Sequence, residues 1–508
     1  MEEQTIKTDV YSNENVFCEN AEAPIDADFT LPDFCPDITK IFKCRAVSRI
    51  ASKSMNGNSL TVEGSVCLTL LYADEAGALC SYEYPYPFSK TLQFSEDATG
   101  ANVSCRSKVD YINCRAVTGR KVDIHGAVTV AIRVFRRKCT QIISDVDDCH
   151  IEQRHGVAPA TVPMGYSEKY LMVEEDIPIG QGQPTIGRLL RSDAGPVVRE
   201  SKIINDKIVV KGELVVSVLY ASETPGVPQS VKTVLPFSQI MDMEGVGDSC
   251  ECDTRCDLAF LEIKPKPGDG GKTFALTAKL LLTSEAYCGN DVAVILDAYS
   301  RKFEAEMKTD RICFEKIVEN INETYHCKKN LELQEPITAV LELWCDMQSA
   351  VARFEKGNII IDGSMMVCLF ALDQDSHAVY VEKNLDFDYQ YALQEGAEEL
   401  SCTPQIDIMS SGFTLTGTNT VELRVDLGIN AAVYACRKLS LVTDLTVDKN
   451  CPKDQTRSCA MTIYFTGADE CVWDVAKQYN ASVNEIMKIN ELEEDCLPEG
   501  KMLLIPSA

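Results

Sequence analysis

Three cysteines crowd one short stretch, CECDTRC, which places Cys250, Cys252 and Cys256 within seven residues. Thiolates at such spacing could begin a zinc site, which needs four ligands in a tetrahedral array. The stretch lacks a C-x2-C pair and the sequence offers no second pair to complete the set. No metal site is expected, and the stretch reads as a loop rich in small residues. The five histidines, His125, His150, His155, His326 and His377, are the candidate general bases. A nucleophilic cysteine needs such a base within hydrogen-bond reach, and Cys149–His150 is merely a neighbour in sequence. His125 lies within a strand pattern, where a structural role fits. GDGGKT (268–273) has the composition of a phosphate-cradling loop. It runs into a strand pattern, however, so no helix N-terminus would receive an anion. No catalytic residue and no cofactor is expected, and the chain reads as non-enzymatic.

The totals point the same way. A chain of 508 residues is too long for one ordinary core. Its net charge of −28 repels nucleic acid and anionic membranes, neither of which is expected as a partner. The charge favours a basic protein surface, or else serves solubility alone. MEEQTIKTDVYSNENVF has neither the basic start nor the apolar run of a signal peptide. No apolar stretch approaches the ~20 residues of a membrane span. Twenty-three cysteines, an odd number, cannot all pair within one chain. Without an export signal they read as reduced thiols used as small buried hydrophobes, in a cytoplasmic protein.

Internal repeats organise the rest. VEGSVCLTLLYADE (62–75), VKGELVVSVLYASE (210–223) and IDGSMMVCLFALDQ (361–374) align on Gly64, Gly212 and Gly363. Each is followed by a second landmark: PFSK (87–90), PFSQ (236–239) and the weaker DFDY (386–389). Each is preceded by a related lead-in, CPDITKIF, QPTIGRLL or EPITAVLE. The apolar period is two, and Val, Ile, Thr and Tyr dominate the runs, which predicts antiparallel, sandwich-like β domains. The turns are expected at NGN (56–58), PGDGG (267–271) and EKGN (355–358). The shared glycine marks either a close backbone approach or bulge, or simple tolerance in a strand. The predicted domains are residues 1–155 with an N-terminal extension, 160–312 and 313–447, then a linker over 448–459 and a small module over 460–508.

In that module MTIYF (461–465) reads as a strand. Val472, Val475, Ala476 and Tyr479 recur at helical spacing, and Ser482 with Glu485 has capping-box spacing before a second helix. KMLLIP (501–506) closes a strand–helix–helix–strand order. Trp473, one of two tryptophans, either completes this core or forms an exposed anchor. The candidate partner-binding set is Trp473, Ile489, Leu492, Lys501 and Ile505. Ile489, Leu492 and Ile505 also read as core positions.

WDVAKQYN, SVNEIMKIN and LPEGKMLLIP together resemble a LysM domain. The resemblance implies a groove for N-acetylglucosamine chains of peptidoglycan or chitin, between loops 467–472 and 490–498. Its residues would be Gly467, Glu470, Cys471, Val472, Asn490, Leu497 and Pro498. The family's Gly-Asp-Thr is replaced: Glu470 and Cys471 take the Asp and Thr places, with Ala468 and Asp469 inserted. A thiol is a weak donor to a sugar hydroxyl. The module also carries nine carboxylates and three lysines, a poor match to an acidic wall polymer. The three repeats are similar to SPOCS domains through V-x-G-x-V-x-x-x-x-L-Y and the later P-F-S. Three such domains followed by a LysM module is the layout of clostridial spore-coat morphogenetic proteins that bind the coat-assembling ATPase. That likeness implies a scaffold on the mother-cell side of the forespore surface, with the ATPase and other coat proteins as partners. Peptidoglycan binding is the competing expectation.

Overall fold

The computed structural model describes residues 4–223, 226–375, 377–394, 399–453, 461–468 and 470–506. Three strand sets follow one another. The first comprises β1 (Gln4–Thr30), β2 (Lys40–Asn56), β3 (Ser59–Ala73), β4 (Leu79–Gln93), β5 (Asn102–Ala116) and β6 (Lys121–Asp147). The second comprises β7 (Ile151–Pro178), β8 (Ile186–Ile203), β9 (Lys207–Ser222), β10 (Gln229–Asp242), β11 (Cys250–Pro265) and β12 (Thr273–Ser300). The third comprises β13 (Phe303–Glu332), β14 (Ala339–Glu355), β15 (Asn358–Leu372), β16 (Ala378–Ala392), β17 (Leu400–Cys402), β18 (Gln405–Leu415) and β19 (Thr420–Pro452). The joints between sets therefore fall at 148–150 and 301–302, and β19 runs into the stretch read as a linker. Residues 454–459 of that stretch lie outside the described residues.

Each set folds as two antiparallel sheets over one core, the sandwich-like β architecture expected. The middle strands form one sheet, β2-β3-β4 and its counterparts β8-β9-β10 and β14-β15-β16. The long outer strands pair with each other and with the fifth strand, as β1-β6-β5, β7-β12-β11 and β13-β19 joined by β17 and β18. Val66, Leu68 and Leu70 are buried while Cys67 and Thr69 are half-exposed, as a period of two requires. Asn205–Asp206 and Lys356–Gly357 take positive φ at the β8–β9 and β14–β15 turns, the primed geometry that matches strand twist.

The two repeat landmarks turn out to be one contact. Gly64 is the register partner of Phe88, Gly212 of Phe237 and Gly363 of Phe387. In each pair the Phe ring lies over the glycine. A Cβ on the glycine would sit 2.4, 2.3 and 2.3 Å from the ring, and within 2.9 Å of a neighbouring-strand carbonyl. The glycines thus serve a close approach rather than strand tolerance. Tyr72 and Tyr220 add a second shared contact, each donating to the carbonyl of the lead-in proline, Pro36 or Pro184, at 3.0 Å.

The three sets meet around a common axis. Ile142, Val294 and Leu441 share one buried cluster, and Ile143, Ile295 and Val442 share the next. These are successive residues of β6, β12 and β19. Leu71, Leu219 and Phe370, at equivalent places in the LLY, VLY and LFA segments, form a third cluster with Trp344. Beside it Arg45 of the first set reaches Asp193 of the second at 3.0 Å and Asp346 of the third at 2.8 Å. Burial raises the Asp193 carboxyl, but Arg45 and Arg191 outweigh it and hold the group below the usual range. Arg191 pairs with the fully buried Glu342 at 2.5 Å and lies over the Trp344 ring at 4.2 Å.

Two stability outcomes follow from these contacts. Gly212→Ala should cost about 1–3 kcal/mol through overpacking, read by urea unfolding, and Phe237→Leu in the same chain should recover part of it. Arg191→Met takes the guanidinium from the buried Glu342 carboxylate, which keeps the Ser217 hydroxyl as its one side-chain donor among the described residues. It should cost about 3–5 kcal/mol, most of which Glu342→Met restores.

Candidate partner-docking site

The C-terminal module has the predicted order. β20 (Met461–Phe465) pairs antiparallel with β21 (Met502–Pro506), and between them lie α1 (Val472–Tyr479) and α2 (Val483–Ile489). Val472, Val475 and Ala476 are buried, with Tyr479 packed against them. Asn480 ends α1 in the left-handed conformation at φ 52°. Ser482 occupies the N-cap of α2 but makes no side-chain cap hydrogen bond, so the expected box with Glu485 does not form. The reciprocal contact belongs to α1 instead, where Asp474 Oδ2 accepts from the Cys471 thiol at 2.9 Å and from its N–H at 3.4 Å.

The module is seated on the second strand set. A bulge at Leu296 shifts the register of β12, and beyond it Asp297 and Tyr299 share a strand face. Trp473 packs edge-on against Tyr299, with ring centroids 5.1 Å apart, and donates Nε1–H to Asp297 at 2.8 Å. Lys477 Nζ reaches both Asp297 oxygens at 2.7 Å. The Tyr299 hydroxyl donates to the Ala481 carbonyl at 2.7 Å, between the two helices. Arg154 faces Asp495 at 3.6 Å, and Lys453 bridges the Ser300 carbonyl to Asn480.

This seat was missed by sequence reasoning, although a signal exists. IISD (142–145), VILD (294–297) and LVTD (441–444) are one motif with a bulge before each aspartate. Two residues on stand Asp147, Tyr299 and Thr446. Only the second set offers an aromatic ring beside the aspartate, and that set carries the module.

The candidate residues separate by exposure. Trp473 is 5% exposed and Ile505 2%, both interior. Leu492 and Lys501 are half-buried, and Ile489 is exposed. The groove residues are largely engaged by the module itself. Glu470 accepts from the Tyr464 hydroxyl and from the Gly467 N–H at 2.8 Å. The Asn490 amide bonds the Ile486 and Leu504 carbonyls and accepts from the Leu504 N–H. Val472 and Leu497 are buried, Pro498 accepts from Thr466, and Cys471 is half-buried. Asp469 lies outside the described residues.

What the module presents outward is its sheet. Met461, Ile463 and Phe465 occupy one face of β20, opposite Pro506, Leu504 and Met502 of β21. Ile463 is 60% and Phe465 64% exposed, while Leu503 and Ile505 on the other face are buried under the helices. The result is a small exposed apolar plate.

Elsewhere the chemistry-bearing residues are dispersed. CECDTRC lies in strand β11 rather than in a loop. Cys250 is bonded to its register partner Cys288, and Cys252 donates to Ser201. Cys313 and Cys436 form a second disulfide, so the expectation of reduced thiols throughout is corrected at four positions. GDGGKT is the β11–β12 turn, where Asp269 accepts from the Gly271 N–H. His326 pairs with Asp426, and His125 with Asp26 and Asp123. Asp148, Cys149 and His150 cluster in the turn between the first two sets, as Asp373, Asp375 and His377 do before β16. Between the three sets lies a cavity of about 1000 Å³ whose polar walls pair with each other, as in Arg133–Glu285 at 3.0 Å and Asn320–Tyr287 at 2.8 Å. Among the described residues, no helix is long and apolar enough to cross a membrane.

Residues 37–117 and 185–266 match the family model described as SipL, SPOCS domain. The match supports a SPOCS-domain protein. Both stretches cover the same part of their set, from the lead-in before β2 or β8 to the end of β5 or β11. Searches of the curated proteins and of the solved structures gave no match.

The seat can be loosened on purpose. Asp297→Asn should weaken docking of the module by about 1–3 kcal/mol, seen as faster amide exchange in α1 with the exchange of β3 and β9 unchanged.

Proposed function

We propose that this chain is a non-enzymatic scaffold in spore-coat assembly whose C-terminal module, of LysM type, docks the coat-assembling ATPase. The observation that carries this reading is the exposed plate of Met461, Ile463, Phe465 and Met502. Apolar faces of this kind mark interaction sites. The module's nine carboxylates against three lysines favour a partner that carries basic groups. The SPOCS match supports the sporulation setting and a protein-interaction role for the repeats. The engagement of Glu470 and Asn490 within the module supports a protein partner over N-acetylglucosamine, since a sugar would have to displace those bonds. In this reading the protein acts on the mother-cell side of the forespore surface. The three strand sets add surface for other coat proteins, so that two weak contacts on one chain reinforce each other.

Binding of the purified ATPase to the full chain, measured beside N-acetylglucosamine oligomers, tests the assignment. Ile463→Arg should weaken ATPase binding at least about tenfold while circular dichroism and melting stay unchanged. Sugar binding without ATPase binding would overturn it in favour of peptidoglycan anchoring.

A further inference from the structure

The two loops that frame the helices of the C-terminal module carry one cysteine each, and the backbone sets them face to face. The Val472 N–H donates to the Asp495 carbonyl at 2.9 Å and the Leu497 N–H to the Glu470 carbonyl at 3.1 Å. Cys471 and Cys496 lie between these bonds as an isolated antiparallel bridge. Because their neighbours make the hydrogen bonds, they are a non-hydrogen-bonded pair, with Cα atoms about 4.5 Å apart and side chains at closest approach. That separation lies within the window a disulfide spans. Cys250 and Cys288, also directly opposed across two antiparallel strands, are bonded at a Cα–Cα distance of 4.4 Å. Cys471 and Cys496 are both free, the first half-buried and the second exposed.

We propose that Cys471 and Cys496 form a dithiol site that a low-molecular-weight disulfide oxidises to a cystine within the module. The exposed Cys496 thiolate attacks one sulfur of the oxidant RSSR, and RS⁻ departs to take up a proton from water. Cys471 then gives its proton to the Asp474 carboxylate it already faces. Its thiolate attacks the Cys496 sulfur and expels a second RS⁻, which takes up a proton as Asp474 returns the one it accepted to water. Two cysteine thiols and one RSSR thus become one cystine and two RSH. The new bond closes a ring that contains both α1 and α2. It lies beside Asp495, which the Trp473 N–H and Arg154 both contact, so it would fix the helices next to their seat on the second strand set. Cross-linking of this kind restricts the opened states of the ring. The inference does not depend on what the module binds.

The test uses the full-length protein and oxidised glutathione. After incubation, remaining thiols are blocked, the protein is digested with trypsin without reduction, and the peptides are sequenced by mass spectrometry. The expected product links peptide 458–477 to peptide 489–501. Fragment ions should place the bond on Cys471 rather than Cys459, and the link should vanish with dithiothreitol. Cys496→Ser should abolish the link, whereas Cys471→Ser should leave Cys496 trapped as its glutathione adduct. Recovery of wild-type Cys496 as a free thiol, as the glutathione adduct, or joined to any other cysteine would overturn the proposal.

Discussion

A repeated unit that cannot bury its own strand ends has to bury them against its copies. The outer strands here are 27 to 33 residues long, while the strands of the middle sheets run to 14 to 18. The excess length carries Ile142, Ile143, Val294, Ile295, Leu441 and Val442 out beyond the sandwich cores. One set alone would leave those apolar faces in water. Three sets brought together cover them all, which is the logic of repeat proteins turned around an axis instead of along a line. The Gly–Phe pairs act one level below. By letting a ring cover bare backbone, they fix the register between the strands of each middle sheet, and so fix where Leu71, Leu219 and Phe370 point.

Pure threefold likeness would leave the order of the sets around the axis weakly specified, and the charges break that likeness. Arg45 occupies in the first set the place that Asp193 holds in the second, so the two attract where identical residues would repel. Arg191 and Glu342 do the same between the second and third sets. The bulge motif is broken in a similar way. All three sets present an aspartate after the bulge, but Tyr299 adds a ring and a donor in the second set alone. The module therefore has one seat with a partner for Trp473, Lys477 and the Ala481 carbonyl together.

The sequence made the β class, the three copies and the module's order legible because each leaves a periodic trace. The apolar alternation around Val66 and the helical spacing from Val472 are local patterns, and local patterns survive into structure. The Gly64–Phe88 contact was visible as two separate landmarks, since nothing in a linear reading says that they are opposite each other. The seat on Tyr299 was harder. Its residues lie about 175 positions from Trp473 and owe their direction to a bulge, which shifts the face of a strand without altering its composition. CECDTRC was misjudged as a loop because small residues and alternating cysteines look alike in a turn and in a strand whose inner face carries Cys250, Cys252 and Cys256.

Trp473 had two readings, core or anchor, and its position combines them: it anchors the module, but to its own chain. This changes what the module has left to offer. Its helical side is committed to Asp297 and Tyr299, and Glu470 and Asn490 of its loops are bonded internally, while the plate on β20 and β21 faces outward. A free module on a flexible tether would meet a partner in every orientation and lose that freedom on binding. A module held by a tryptophan, an ion pair and a buried tyrosine has already lost most of it. The intramolecular seat therefore lowers the ordering cost of any contact made through the plate, and it fixes the direction in which the three strand sets extend from that contact.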